Sequence, residues 1–451
     1  MRFKLLCHNT SGTHKTIFYD NQTGALYFEN GGRMPVSEVS KKTFDRSKVA
    51  KPFSADEPLA KTAEVKTLKI QLGLSCNYSC NYCSQRFIPN ADETTKKHVE
   101  PFMSQLSDWL KTAPERIEFW GGEPLVYIKT LVPLAEALRV KFPDAEFVTI
   151  TNGSLLTPEI NEWIDRMGFS IGLSHDGPGQ FVRGPDPLDD PQKRTAILDL
   201  YKRLSPSGRI SFNAMLNNKN SDRAAIQRFF VELTGDKNVP IGEGAFIEAY
   251  DEGGLQNSIS ALDEKYSFRN LTLEQLRNGS INNFGIARSR IVEWVNSFAH
   301  ARPAKGLGMK CGMDRENHIV VDLKGNVVTC QNVSIVSNAP NKESHYGGNV
   351  SDFEKIQIKT STHWSKRESC SKCPMLQVCR GSCMFLEGPL FWASCENSFS
   401  DHVPFFAVAV EIATGYLPYR IEADHLPEHR KSIWEETKKD KDSPRVVPRA
   451  V

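Results

Sequence analysis

Cys76-Asn-Tyr-Ser-Cys80-Asn-Tyr-Cys83 sets three thiols on one short stretch, spaced C-x3-C-x2-C. A single loop of this kind presents all three to one metal centre. An iron–sulfur cubane is normally held by four Cys thiolates, so three leave one iron open to a ligand that is not protein. An open iron points to chemistry on a bound molecule rather than to electron transfer alone. Zinc is the plainer alternative, because C-x2-C is half of many zinc sites. Zinc would need a further C-x2-C or H-x3-5-H partner, and none follows within the next hundred residues. A redox dithiol has two cysteines, not three.

A second field holds seven more thiols. It reads Cys311-x13-Gly325-x4-Cys330, then Cys370-x2-Cys373-x5-Cys379-x3-Cys383, then Cys395. A zinc ribbon would explain Cys370-x2-Cys373 taken alone. The start of the chain, Met1-Arg-Phe-Lys-Leu-Leu-Cys7, lacks the apolar core and small-residue cleavage site of an export signal. Eleven cysteines in an unexported chain point to metal rather than disulfides. Cys7 belongs to neither field and reads as a small buried hydrophobe.

The elements that must position these thiols alternate. Strands are expected at Thr67–Gly73, Arg116–Trp120, Glu146–Thr151, Ser170–Ser174, Ile210–Leu216 and Gly244–Tyr250. Helices are expected between them at Thr94–Lys111, Tyr127–Lys141, Pro158–Met167, Pro191–Leu204 and Ser221–Leu233, with Ile286–Phe298 after the last strand. Such alternation argues a parallel sheet with right-handed crossovers. Functional residues then belong on the loops at the C-terminal strand ends. Gly121-Gly122-Glu123-Pro124 follows the second strand, where two glycines permit close backbone approach to a ligand. Thr151-Asn152-Gly153, Ser174-His175-Asp176-Gly177-Pro178 and Asn213-Ala-Met-Leu216 end the next three. Taken singly, Asn152-Gly153 and Asp176-Gly177-Pro178 are ordinary turn sequences. Ile319–Thr329 reads as a hairpin that turns at Lys324-Gly325-Asn326 and delivers Cys330.

In this order along the chain, the triad with Tyr82 before its last cysteine, GGEP at 121–124 and SHDGP at 174–178 resemble the radical S-adenosylmethionine (SAM) enzymes. The seven later cysteines resemble the SPASM extension found in peptide- and protein-modifying members. The resemblance covers about residues 65 to 405 and implies an α/β fold, a partial (β/α)6 TIM-like barrel with a small cysteine-rich C-terminal SPASM domain. It implies three [4Fe-4S] clusters and S-adenosyl-L-methionine as cofactors. Cys76, Cys80 and Cys83 would hold the SAM-binding cluster, whose open iron chelates the methionine moiety before the sulfonium is cleaved to a 5′-deoxyadenosyl radical. Cys311, Cys330 and Cys383 would hold one auxiliary cluster, and Cys370, Cys373, Cys379 and Cys395 the other. Gly121, Gly122, Glu123 and Pro124 would bind the methionine amino group, with Asn152 at a common family strand ending. Ser174 would contact the ribose and Arg183 the carboxylate, which guanidinium suits through bidentate pairing. Tyr82 and Leu216 would lie at the adenine. The first auxiliary cluster lacks a fourth cysteine, leaving its site open or filled by His300, another side chain or substrate.

The same resemblance implies a maturase of ribosomal peptides that forms an oxidative carbon–carbon, thioether or ether link, served by a reducing partner such as flavodoxin or ferredoxin. A sulfatase maturase or an enzyme of small metabolites is the alternative. Against sulfatase maturation, the residue after Cys330 is Gln331, an amide, where sulfatase maturases carry an Asp base. A bare iron–sulfur electron carrier would not need GGEP or Ser174 beside an open cluster.

A net charge of +2 gives no electrostatic case for nucleic acid as a partner. No run of about 18 apolar residues suggests a membrane span, so a cytoplasmic protein is expected. Four regions are expected: a strand-rich segment over 1–64, the barrel over 65–300, the cysteine-rich domain over 301–405, and a helix and tail over 406–451. Thr16–Glu29 reads as a hairpin around Asn21–Gly24, either capping the barrel's open bottom or pairing with a leader peptide by strand addition. Val403–Thr414 reads as a packed helix and the segment around Trp434 as an exposed one, followed by a loose end from Lys438.

Overall fold

The computed structural model describes residues 1–39, 44–86, 88–89, 93–242, 244–340, 342–359 and 362–434; the expected loose end from Lys438 lies outside the described residues. Five strands, Thr67–Gln71, Arg116–Trp120, Glu146–Thr151, Phe169–Ser174 and Ile210–Asn213, pair in parallel in chain order. Their residues alternate, as a half-buried pleat requires. One face sends Phe119, Phe147 and Phe169 into a ring cluster that meets Trp163 of the helix Pro158–Arg166. The other face carries the Lys69–Glu118 ion pair, at 3.0 Å, and leads to the site.

The crossover helices start where local chemistry favours it. Thr157, Asp190 and Asp222 cap the helices Pro158–Arg166, Pro191–Leu204 and Arg223–Thr234 by accepting backbone N–H bonds. Pro158 and Pro191 occupy first-turn positions where no N–H is needed.

The sixth expected strand, Gly244–Tyr250, does not form. That stretch runs beside the fifth strand through isolated parallel bridges, Phe212 with Ile241 and Leu216 with Phe246. Pro240 lacks an N–H for a ladder, and a side chain at Gly244 would stand 2.6 Å from the Phe284 ring. The sixth parallel strand is instead His318–Asp322, on the opposite edge against Thr67–Gln71. It opens the expected hairpin with Asn326–Val328, and Tyr346–Asn349 completes an eight-stranded sheet. The Cys330 region is therefore built onto the barrel's own sheet.

The expected N-terminal hairpin forms. Arg2–His8, His14–Asp20 and Ala25–Tyr27 make an antiparallel sheet closed by Leu417–Glu422. Tyr19 packs this sheet against Trp294 and Phe298 of the helix Gly285–His300 and against Phe406 of Gly388–Thr414. Cys7 is fully buried there, and burial pushes its thiol up to about 12. The helix expected at Val403–Thr414 is the second half of Gly388–Thr414, which also carries Cys395. Trp434 is half-buried, its indole N–H donating to Pro418 O at 3.1 Å, rather than lying on an exposed helix. Among the described residues no helix is long and apolar enough to cross a membrane.

Candidate active site

A cavity of about 950 Å³ opens at the C-terminal ends of the parallel strands. The chain leaves the first strand through Gly73, at φ 153°, a conformation reserved for glycine. Glu93 then gathers the backbone, accepting from Leu74 N at 2.9 Å and Ser75 N at 3.0 Å. The Cys76, Cys80 and Cys83 loop follows, and all three line the cavity. Tyr78 N donates to Cys76 Sγ and Gln85 N to Cys83 Sγ, each at 3.4 Å. Backbone donors aimed at sulfur tune an iron–sulfur cluster. Burial pushes the Cys80 thiol up to about 11 and raises that of Cys76, so metal charge is what would hold them as thiolates. No cysteine of the chain is in a disulfide. This donor set fits a three-thiolate cluster. Among the described residues no three His, Cys, Asp or Glu side chains are grouped to hold a single ion; thiolates of a cluster bind separate irons.

Gly121, Gly122, Glu123 and Pro124 line the same cavity, but their glycines serve the protein's own backbone. A Cβ at Gly121 would meet Gly73 O at 2.9 Å, and one at Gly122 would collide with the carbonyls of Leu74 and Ser75. The turn is thereby pressed onto the cysteine loop, with Gly122 N donating to Gly73 O and Glu123 N to Ser75 O, both at 3.1 Å. The Glu123 carboxylate is buried, which raises its pKa, while Asn152 N, Leu125 N and the Thr151 hydroxyl donate to it at 2.8, 3.0 and 2.7 Å and pull it back. It locks the second strand end to the third. Asn152 also lines the cavity and reaches the cysteine loop through Asn77.

Ser174 and Arg183 face the cavity with Tyr82. Arg183 Nη1 donates to Tyr82 Oη at 3.0 Å and Asp176 Oδ1 at 3.3 Å, and Tyr82 Oη donates to Asp176 Oδ2. Burial disfavours the guanidinium charge, but Tyr82 and Asp176 more than offset this and keep Arg183 protonated. Its Nε is buried without a partner, a donor ready for an anionic ligand. Leu216, by contrast, does not line the cavity. Its side chain is in the core, and its N–H and carbonyl bond Ala245 and Ile247. Asn213 and Met215 face the cavity instead.

The second cysteine field also contributes to the lining. Cys311, Cys330 and Cys383 line the cavity, while Cys370, Cys373, Cys379 and Cys395 do not. The latter four stand together: burial raises Cys370 to about 12, with Cys379 and Cys395 adding to the shift, and both also act on Cys373. Gln71, at the end of the first barrel strand, donates to Gln331 O and Val333 O, both at 2.8 Å. Trp120 Nε1 donates to Asn332 Oδ1 at 2.9 Å. These contacts fix the Cys330 loop to the barrel. Asn21 of the N-terminal hairpin donates to Ser371 O and Cys373 O, both at 2.9 Å, and so helps tie that segment to the cysteine field. His300 is remote from the cavity, with its ring edge-on to Phe44 and Nδ1 at 3.8 Å from Glu38, so it is not a fourth ligand. Asp176, Glu93, Gln71 and Asn332 escaped the sequence reading. Only Asp176, inside a strand-end motif, carried a sequence signal.

Residues 70–228 match the Radical SAM superfamily. The chain is 22% identical over 353 residues to the radical SAM cyclopropyl synthase TigE of Paramaledivibacter caminithermalis, covering 71% of this chain and 68% of that one. It is 30% identical over 134 residues to a serine-type anaerobic sulfatase-maturating enzyme of Bacteroides thetaiotaomicron, 28% of this chain and 32% of that one. The fold is similar to that of the solved structure "Native anSMEcpe with bound AdoMet and Cp18Cys peptide", with TM-score 0.52 and 19% identity over 77% of this chain and 99% of that one. The thiol triad stands at the end of the first barrel strand, inside the stretch 70–228 that matches the Radical SAM superfamily.

Proposed function

We propose that this protein is a cytoplasmic radical SAM/SPASM maturase that abstracts a hydrogen atom from a ribosomally made peptide and forms an oxidative cross-link. One observation carries the reading: a single cavity is lined by Cys76, Cys80, Cys83 and Arg183 together with Cys311, Cys330 and Cys383. A cluster held by Cys76, Cys80 and Cys83 with S-adenosylmethionine would supply radical chemistry, and clusters held by the later cysteines would supply electron acceptance. Arg183, kept charged by Tyr82 and Asp176, holds the cofactor carboxylate. Ser174 would serve the ribose, and the GGEP turn would offer its backbone to the methionine end. Glu123, accepting from Leu125 N, Asn152 N and the Thr151 hydroxyl, holds that turn in place.

The reaction class draws support from TigE, whose name records cyclopropane formation, a carbon–carbon bond made within a substrate. Gln331 lines the cavity beside Cys330, with the thiol 3.7 Å from its amide oxygen, and supplies no base of the sulfatase-maturase kind. The test is anaerobic co-expression with short peptides encoded beside the gene, read by mass. Loss of two hydrogens from one peptide supports the proposal. Cofactor cleavage with every candidate peptide unchanged, and a small metabolite consumed instead, overturns it.

A further inference from the structure

We propose that the Glu248 carboxylate is the fourth protein ligand of the cluster held by Cys311, Cys330 and Cys383; this rests on the two-auxiliary-cluster reading above. The cysteine count leaves the position to another residue type. Of eleven cysteines, three form the first triad, four stand together away from the cavity, and Cys7 is buried in the N-terminal sheet. Three thiolates remain for a cluster that normally takes four ligands.

Glu248 lies on the irregular stretch that replaced the sixth barrel strand, and it lines the cavity with these three cysteines. Two donors orient it. The Ser382 hydroxyl, next to Cys383, donates to Oε1, and the Tyr250 hydroxyl donates to Oε2 at 2.8 Å. A carboxylate has about four lone-pair sites, and these two bonds leave room for iron. Hydrogen-bonded ligating carboxylates are the usual outer arrangement of metal sites. Three other side chains are poorer candidates. Gln331 offers a neutral amide, Lys69 is paired with Glu118, and His300 is distant. Carboxylate carries the same charge as thiolate, so the cluster's total charge is that of a four-cysteine site. The cluster is then closed to substrate by direct coordination and is suited to taking an electron.

The test uses the full chain, anaerobically reconstituted, with Cys76, Cys80 and Cys83 replaced by Ala so that only auxiliary clusters remain. Iron is counted, and dithionite-reduced EPR spectra are recorded with and without cyanide. With Glu248 intact, about eight irons and a cyanide-insensitive spectrum are expected. Glu248→Gln should change the spectrum of one cluster and make it cyanide-sensitive, or lose that cluster's iron. Glu248→Cys should restore both iron and insensitivity. A Glu248→Gln spectrum identical to its parent, with the parent already cyanide-sensitive, overturns the assignment, and so does iron loss that Glu248→Cys fails to repair. About four irons in the parent would remove the second-cluster reading itself, and this proposal with it; that failure is visible before Glu248 is touched.

Discussion

Asn152 Nδ2 donates to Asn77 Oδ1 at 2.9 Å, joining the end of the third barrel strand to the loop between Cys76 and Cys80. Asn77 returns the contact by donating to Ser154 Oγ at 2.8 Å. The triad's geometry is thus set by a rigid strand end rather than by its own loop. Asn152→Ala removes the clamp at a cost of about 1–2 kcal/mol. The expected result is faster iron release from the triad to a chelator, with the auxiliary irons lost at the wild-type rate. Equal release of all irons would show that the clamp does not act on the triad.

Arg183 spends Nη1 on Tyr82 and Asp176 and keeps a separate donor, Nε, for a ligand, which lysine does not have. Arg183→Lys is expected to weaken S-adenosylmethionine binding by roughly tenfold, about 1.4 kcal/mol. Equilibrium binding to the reconstituted protein checks this, and an unchanged affinity would remove Arg183 from the cofactor site.

His345 is buried beside Thr329, its Nδ1 2.6 Å from Thr329 Oγ1. Burial lowers its pKa to about 4. The unfolded chain takes up that proton near 6.5, so stability is complete above pH 6.5 and falls as pH drops from there toward 4. The steepest loss is about 1.4 kcal/mol per pH unit. Comparing unfolding at pH 7 and pH 5, His345→Asn should show a smaller decrease than wild type. An equal decrease would place the acid sensitivity elsewhere.

Asp401 ties three helices together, bonding Arg223 and, at 2.7 Å, Arg290. Burial alone would raise its pKa, but the two guanidiniums hold it well below the usual carboxylate range. Asp401→Asn leaves two buried cations facing each other and should lower unfolding free energy by about 3–5 kcal/mol. A change under about 1 kcal/mol would mean that water reaches this network.

The barrel was legible where pattern and punctuation agreed. Arg116–Trp120 and Glu146–Thr151 are short alternating runs between turn residues, and both form as expected. Gly244–Tyr250 misled because its composition is strand-like while Pro240, Gly242 and the ring of Phe284 decide the backbone. The helix Leu262–Asn278 was missed because its buried face includes Arg269, Thr272 and Gln275 and so lacks an apolar stripe. The sheet position of His318–Asp322 and the closure of the N-terminal sheet by Leu417–Glu422 are long-range pairings with no local trace. At the site, the cysteines were legible as a set because metal chemistry restricts residue type and spacing. The residues that hold them, Glu93, Gln71 and Asn332, are ordinary polar side chains whose role appears only when distant loops meet.

The central claim is that Cys76, Cys80 and Cys83 hold a cluster that cleaves S-adenosylmethionine. Its most direct test is 5′-deoxyadenosine formation under dithionite by anaerobically reconstituted protein, beside the variant with all three cysteines replaced by Ala. The account predicts about twelve irons and cleavage in the wild type, and about eight irons with no cleavage in the variant. Cleavage retained by the variant, or absent from well-folded wild-type protein with full iron, would contradict it.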